Sequence, residues 1–132
     1  SLTLHNNINE VEELAGFVDE VCEAVGFDAS VAIQMNLAIE EAVVNVMDYA
    51  YPKGTEGEVR IKAEADDECL VFIISDDGIP FDPTGHEEVD TSLSAEERDI
   101  GGLGIHLVRN LMDSINYERV NDQNVFTLKK KL

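Results

Sequence analysis

Gly101-Gly102-Leu103-Gly104-Ile105-His106-Leu107-Val108-Arg109-Asn110-Leu111 is the stretch on which the reading of this chain turns. Glycines crowd its front, and behind them Leu107, Val108 and Leu111 recur at helical spacing. The pattern predicts a flexible loop running into a helix N-terminus. Such a place leaves backbone N–H groups unpaired, carries partial positive charge and can hold phosphate. A helix entered through an ordinary glycine turn has the same pattern, so the stretch alone leaves both readings open. It is not a Walker loop, because no Gly-Lys-Ser/Thr follows. It is not a dinucleotide fingerprint either: Gly102-x-Gly104 lacks the third glycine and follows a loop, not a strand.

Upstream, residues 84 to 100 are polar, acidic and weakly periodic. A connection of this length is usually functional or mobile. Before it, Cys69-Leu70-Val71-Phe72-Ile73-Ile74 is nearly all apolar, which predicts a central strand covered on both faces. That run leads straight into Ser75-Asp76-Asp77-Gly78-Ile79-Pro80-Phe81-Asp82-Pro83. Asp66-Asp67 turns the chain, and Val59, Ile61, Ala63 and Ala65 alternate with polar residues as a second strand. Two helices come earlier. Val11, Leu14, Ala15, Val18, Val21, Cys22 and Val25 define one, ended by Gly26. Val31, Met35, Ala38, Ile39, Ala42, Val43, Val46 and Met47 define the other, capped by Asp28 or Ser30 and running to about Ala50. Leu2 and Leu4 suggest a short first strand. Downstream, Ser114 to Val120 and Val125 to Leu132 read as a hairpin, with Asn121-Asp122-Gln123-Asn124 as its turn. The order predicts one α+β domain over residues 1–132. Its expected form is a two-layer α/β sandwich, with helices on one face of a mixed, mostly antiparallel sheet.

The chain has 132 residues and a formal net charge of -19, from 28 acidic and 9 basic side chains. That balance argues against a nucleic-acid or anionic-membrane binder, since phosphate backbones are held by Lys and Arg. It favours solubility and steering of a basic partner surface. Cys22 and Cys69 have no metal-type spacing and read as reduced core thiols, which fits a cytoplasmic protein. No signal peptide and no membrane span are read from the sequence.

Two further constellations carry chemistry. Glu41 and Asn45 lie one helical turn apart, with Asp48 on the same side. A carboxylate can deprotonate a nucleophile, and a carboxamide oxygen suits a hard cation such as magnesium. A solvated helix face has the same composition. Asp76 and Gly78 close a buried strand, where a carboxylate could recognise a ring amine beside a glycine that admits a ligand. An ordinary strand-ending turn has these residues too. Phe81 reads as packing on the core beneath this loop or as shaping a pocket wall, with the core the expected place.

These motifs occur in a fixed order, and in that order the chain resembles the GHKL (Bergerat-fold) ATPases. Within them it resembles the anti-sigma-factor serine/threonine kinases of the RsbW and SpoIIAB type. Glu41-Ala42-Val43-Val44-Asn45 is similar to their N box, Asp76 to Pro83 to the first glycine box, and Gly101 to Val108 to the second. The resemblance implies ATP and Mg2+ as cofactors. It implies Asn45 as the magnesium ligand, Glu41 as general base, and Asp76 bonded to the adenine amine with Gly78 allowing close approach. Residues 84 to 100 become an ATP lid, with Gly102, Leu103 and Gly104 meeting the phosphates at its hinge. Thr127 is implied near adenine, and Arg98 could reach the terminal phosphate. Tyr49 stands where the best-known members have His. The implied partners are a sigma factor or other client, a STAS-type anti-anti-sigma antagonist and a second copy in a homodimer. A catalytically silent ATP-binding switch, a histidine-kinase-like ATPase domain and an acidic domain without a nucleotide site are the alternatives.

Overall fold

The computed structural model describes residues 1–52, 54–83 and 100–132. Of the expected lid, residues 84 to 100, all but Ile100 lie outside the described residues, His86 and Arg98 among them.

Strand β1 (Leu2–His5) is followed by a single 3-10 turn (Ile8–Val11) and helix α1 (Glu12–Val25). Gly26 ends α1 in the left-handed region at φ 80°, a conformation that costs glycine little. Helix α2 spans Ala29–Tyr49, and Asp28 caps it by accepting from the Val31 N–H at 2.9 Å. Then come β2 (Glu58–Ala65), β3 (Cys69–Asp76), helix α3 (Ile100–Leu111), β4 (Ser114–Val120) and β5 (Gln123–Lys131). The sheet has the order β1-β2-β3-β5-β4, and the mostly antiparallel sheet expected is antiparallel at every pairing among the described residues.

Strand alternation decides what faces the helices. Val59, Ile61, Leu70, Phe72, Ile74, Phe126 and Leu128 point inward and form one core with Leu14, Val18, Met35, Ile39, Val43, Ile105 and Val108. β3 is central, as its apolar run predicts, but only its helix side is buried. Cys69, Val71, Ile73 and Ser75 on the other face are half-buried.

Two local expectations change. α3 already includes Gly101, Gly102 and Gly104, so the glycines occupy the opening turns of the helix and not a loop before it. The β4–β5 turn is two residues long, with Asn121 at φ 50° and Asp122 at φ 63°. Asn and Asp tolerate this region better than most residues. Gln123 and Asn124, expected in the turn, are therefore paired strand residues opposite Val120 and Arg119.

Candidate nucleotide site

Asp76 is the last residue of β3, and alternation brings its side chain to the helix side with no exposed surface. Its Oδ1 accepts from the Gly78 N–H at 2.8 Å and from Asn124 Nδ2 at 2.9 Å. Its Oδ2 is buried and has no hydrogen-bond partner among the described residues. A buried acceptor left without a donor is costly, so such an atom marks a place for a ligand donor. Burial pushes the Asp76 carboxyl above the usual carboxylate range. The donations from Asn124 and Gly78 and the charge of Arg119 oppose this, while Asp77 adds to it.

The turn after Asp76 is fastened to three elements. A Cβ on Gly78 would lie 2.3 Å from the Ala50 carbonyl oxygen, and the Ile79 N–H donates to that same oxygen at 2.8 Å. The close approach that Gly78 allows is thus to the end of α2 in this chain. Tyr51 is buried just beyond α2. Its hydroxyl donates to Glu58 O at 2.6 Å and accepts from the Asp77 N–H at 3.1 Å. From the hairpin, Arg119 donates to Gly78 O at 2.9 Å.

Asn124 is the third fastening and the most connected. Its Nδ2 donates to Asp76 Oδ1 and, at 2.8 Å, to Ile79 O. Its Oδ1 accepts from the Phe81 N–H at 3.1 Å and from the Tyr117 hydroxyl. The Phe81 ring stacks on Tyr49, with centroids 5.3 Å apart, and packs against the core as expected.

Asn45 is buried on α2, and its Nδ2 donates to Glu41 O at 2.7 Å. The amide nitrogen is committed to the helix, so the oxygen is the atom this side chain offers to a cation. Such a single oxygen donor fits magnesium, which keeps most of its water and is bound through substrate phosphates. No cluster of three His, Cys, Asp or Glu among the described residues could hold a metal by itself. Glu41 is half-buried, one turn before Asn45. Asn45 precedes Ala50 by about 7.5 Å of helix rise, so this pair and the Asp76 turn share one end of α2. α3 packs on α2, and Gly102, Leu103 and Gly104 lie in its opening turns. Their backbone N–H groups belong to the helix end that anions favour.

Thr127 does not join this group. It pairs with Ile73 and Asn116, on the sheet face away from the helices, because Phe126 and Leu128 point inward. The β5 side chain beside Asp76 is Asn124, three residues earlier. Sequence reasoning missed Asn124, Tyr51 and Arg119. Counting back by two from Leu128 and Phe126 would have placed Asn124 on the inner face.

A family model described as "Histidine kinase-like ATPase domain" matches residues 4–130. The chain is similar to the serine-protein kinase RsbW of Listeria monocytogenes, 29% identical over 99 residues that cover 72% of this chain and 63% of that protein. RsbW of Bacillus subtilis is 26% identical over 102 residues, covering 74% and 64%. The serine/threonine-protein kinase BtrW of Bordetella bronchiseptica is 24% identical over 102 residues, covering 77% and 72%. The chain thus spans 63 to 64% of the length of these two RsbW proteins. Among solved structures, the histidine kinase domain of the Erythrobacter litoralis EL346 blue-light activated histidine kinase superposes with a TM-score of 0.56 at 19% identity, covering 92% of this chain and 59% of that one. The mycobacterial sensor histidine kinase MprB also gives 0.56, at 12% identity, covering 98% and 97%. At these identities the likeness to both is one of fold.

Proposed function

Because the chain belongs to the histidine kinase-like ATPase family, we propose that it binds ATP at Asp76 and transfers the γ-phosphoryl group to a serine or threonine of a partner protein. The observation that carries the ATP reading is Asp76 Oδ2, a fully buried acceptor with no donor among the described residues. The 6-amino group of adenine supplies such a donor. Gly102, Leu103 and Gly104 offer backbone N–H groups to the phosphates, and the Asn45 oxygen would hold magnesium. Magnesium, when bound, offsets charge on the phosphate oxygens and helps orient them.

Glu41 acts as general base. The acceptor hydroxyl oxygen attacks the γ-phosphorus, its proton passes to the Glu41 carboxylate, and the bond to the β–γ bridging oxygen breaks, releasing ADP. Similarity to proteins named serine-protein kinase supports this choice of acceptor over histidine. We propose further that residues 1–132 act as one such domain in the cytoplasm. It sequesters a sigma factor or other client, forms a homodimer and phosphorylates a STAS-type antagonist. No helix among the described residues is long and apolar enough to cross a membrane.

The test is incubation with labelled ATP, magnesium and each small STAS-type protein of the same organism in turn. The expected result is label on a serine or threonine of one of them, reduced about 10²-fold or more by Glu41→Ala. ATP binding by the wild type without transfer would make the chain a silent nucleotide switch.

A further inference from the structure

We infer that Asn124 sets the base specificity of the Asp76 site: by occupying Asp76 Oδ1 as a donor it leaves Oδ2 an acceptor and so selects 6-amino over 6-oxo purine nucleotides. This deepens the ATP reading above and rests on it.

The orientation of Asn124 follows from its partners. The Phe81 N–H can only donate, so it must face the amide oxygen, where the Tyr117 hydroxyl also arrives. Nδ2 is then directed at Asp76 Oδ1 and the Ile79 carbonyl, both acceptors. No other orientation of the amide satisfies all four groups. Asp76 Oδ1 therefore receives two N–H donors, from Asn124 and Gly78, and a proton there would displace one of them. Oδ2 is the only carboxylate atom left to meet a ligand. As an ionised acceptor it bonds an exocyclic amine. A 6-oxo base in the same pose sets oxygen against oxygen, and binding it requires a protonated Asp76.

The surroundings make that balance sensitive to Asn124. Burial and the neighbouring Asp77 favour the protonated carboxyl, whereas Asn124, Gly78 and Arg119 favour the ionised one. Tyr51, from the end of α2, and Tyr117, from β4, also sense the Asp76 charge, and both phenols are pushed up by burial. Asp82 acts on the Tyr117 side. Of the groups favouring ionisation, Asn124 has the largest effect and Gly78 the next.

The experiment is competition of ATP and inosine triphosphate against a fluorescent ATP analogue from acid to neutral pH, using the whole chain with magnesium. Thermal melting checks folding. The wild type is expected to prefer ATP by roughly 10²-fold or more, since a site built to bond an N–H rejects an analogue that lacks it. Asn124→Asp places two carboxyl groups against each other, and they must share a proton. It should narrow the preference by about tenfold for each unit that the Asp76 titration rises, and move the acid limb of ATP binding to higher pH by the same amount. Asn124→Ser, which removes the Asp76 donor without adding charge, should shift the same limb less far. A purely structural role would lower both affinities together and leave the limb in place. A folded Asn124 variant with wild-type preference and an unmoved limb overturns the inference alone. A wild type that binds no ATP overturns the nucleotide reading and this inference with it.

Discussion

The two carboxylate oxygens of Asp76 have opposite surroundings. Oδ1 is saturated by the chain's own donors, whereas Oδ2 is buried with no donor among the described residues. This has a stability consequence with a definite sign. Burial holds the folded-state carboxyl above its unfolded value, so the folded protein binds that proton more tightly. The resulting stabilisation is fully present below the unfolded value and is lost as pH rises through the folded one. Asp76→Asn cannot titrate. Melting measured without nucleotide should therefore show the variant gaining on the wild type as pH rises from the ordinary carboxylate range towards neutral. With ATP the order reverses. ATP at a hundred times its Kd should stabilise the wild type by about 2.7 kcal/mol and Asp76→Asn hardly at all.

α2 ends directly against the turn after β3. Ala50 O receives the Ile79 N–H, and the space above it admits no Cβ at Gly78. Tyr51 spans from β2 to Asp77 in the same joint. This junction gives the Asp76 turn and the Glu41–Asn45 stretch a common support in α2. Gly78→Ala would drive a methyl into backbone atoms that have no alternative rotamer. Urea unfolding should show a loss of about 1–3 kcal/mol, the usual range for overpacking. ATP affinity should fall with it, because the turn can relieve the clash only by moving away from α2. α3 bears on the same site differently. Its glycines are already helical, so they reach this region as part of α3 and not as a loop.

At the scale of the molecule, the charge of -19 is spread unevenly. Glu12, Glu13, Glu20 and Glu23 crowd exposed positions of α1, while Lys129 and Lys131 are exposed on β5. Such an excess of one sign repels itself in the compact state, and salt screens it over about 10 Å at 0.1 M. The melting temperature should therefore rise with sodium chloride from low to moderate concentration, and a salt-independent value would contradict this. Much of the architecture was legible from periodicity, because element type depends on short-range spacing. The 3.6-residue patterns of α1 and α2, the alternation in β2 and the apolar run of β3 each led to the right element. The order of Glu41, Asn45, Asp76 and the glycines carried the family resemblance. What sequence spacing left open was which polar side chains meet. Asn124 reaches Asp76 across a separation of 48 residues, through the pairing of β3 with β5. Register settles that meeting, and a single step of register exchanges the two faces of a strand. Thr127 was expected near the base and lies on the opposite face, while Asn124 was expected in a turn and lies beside Asp76. Composition, periodicity and motif order thus determined the class of fold and the family. The packing of Phe126 and Leu128 into the core, a tertiary event, decided which β5 side chain lies beside Asp76.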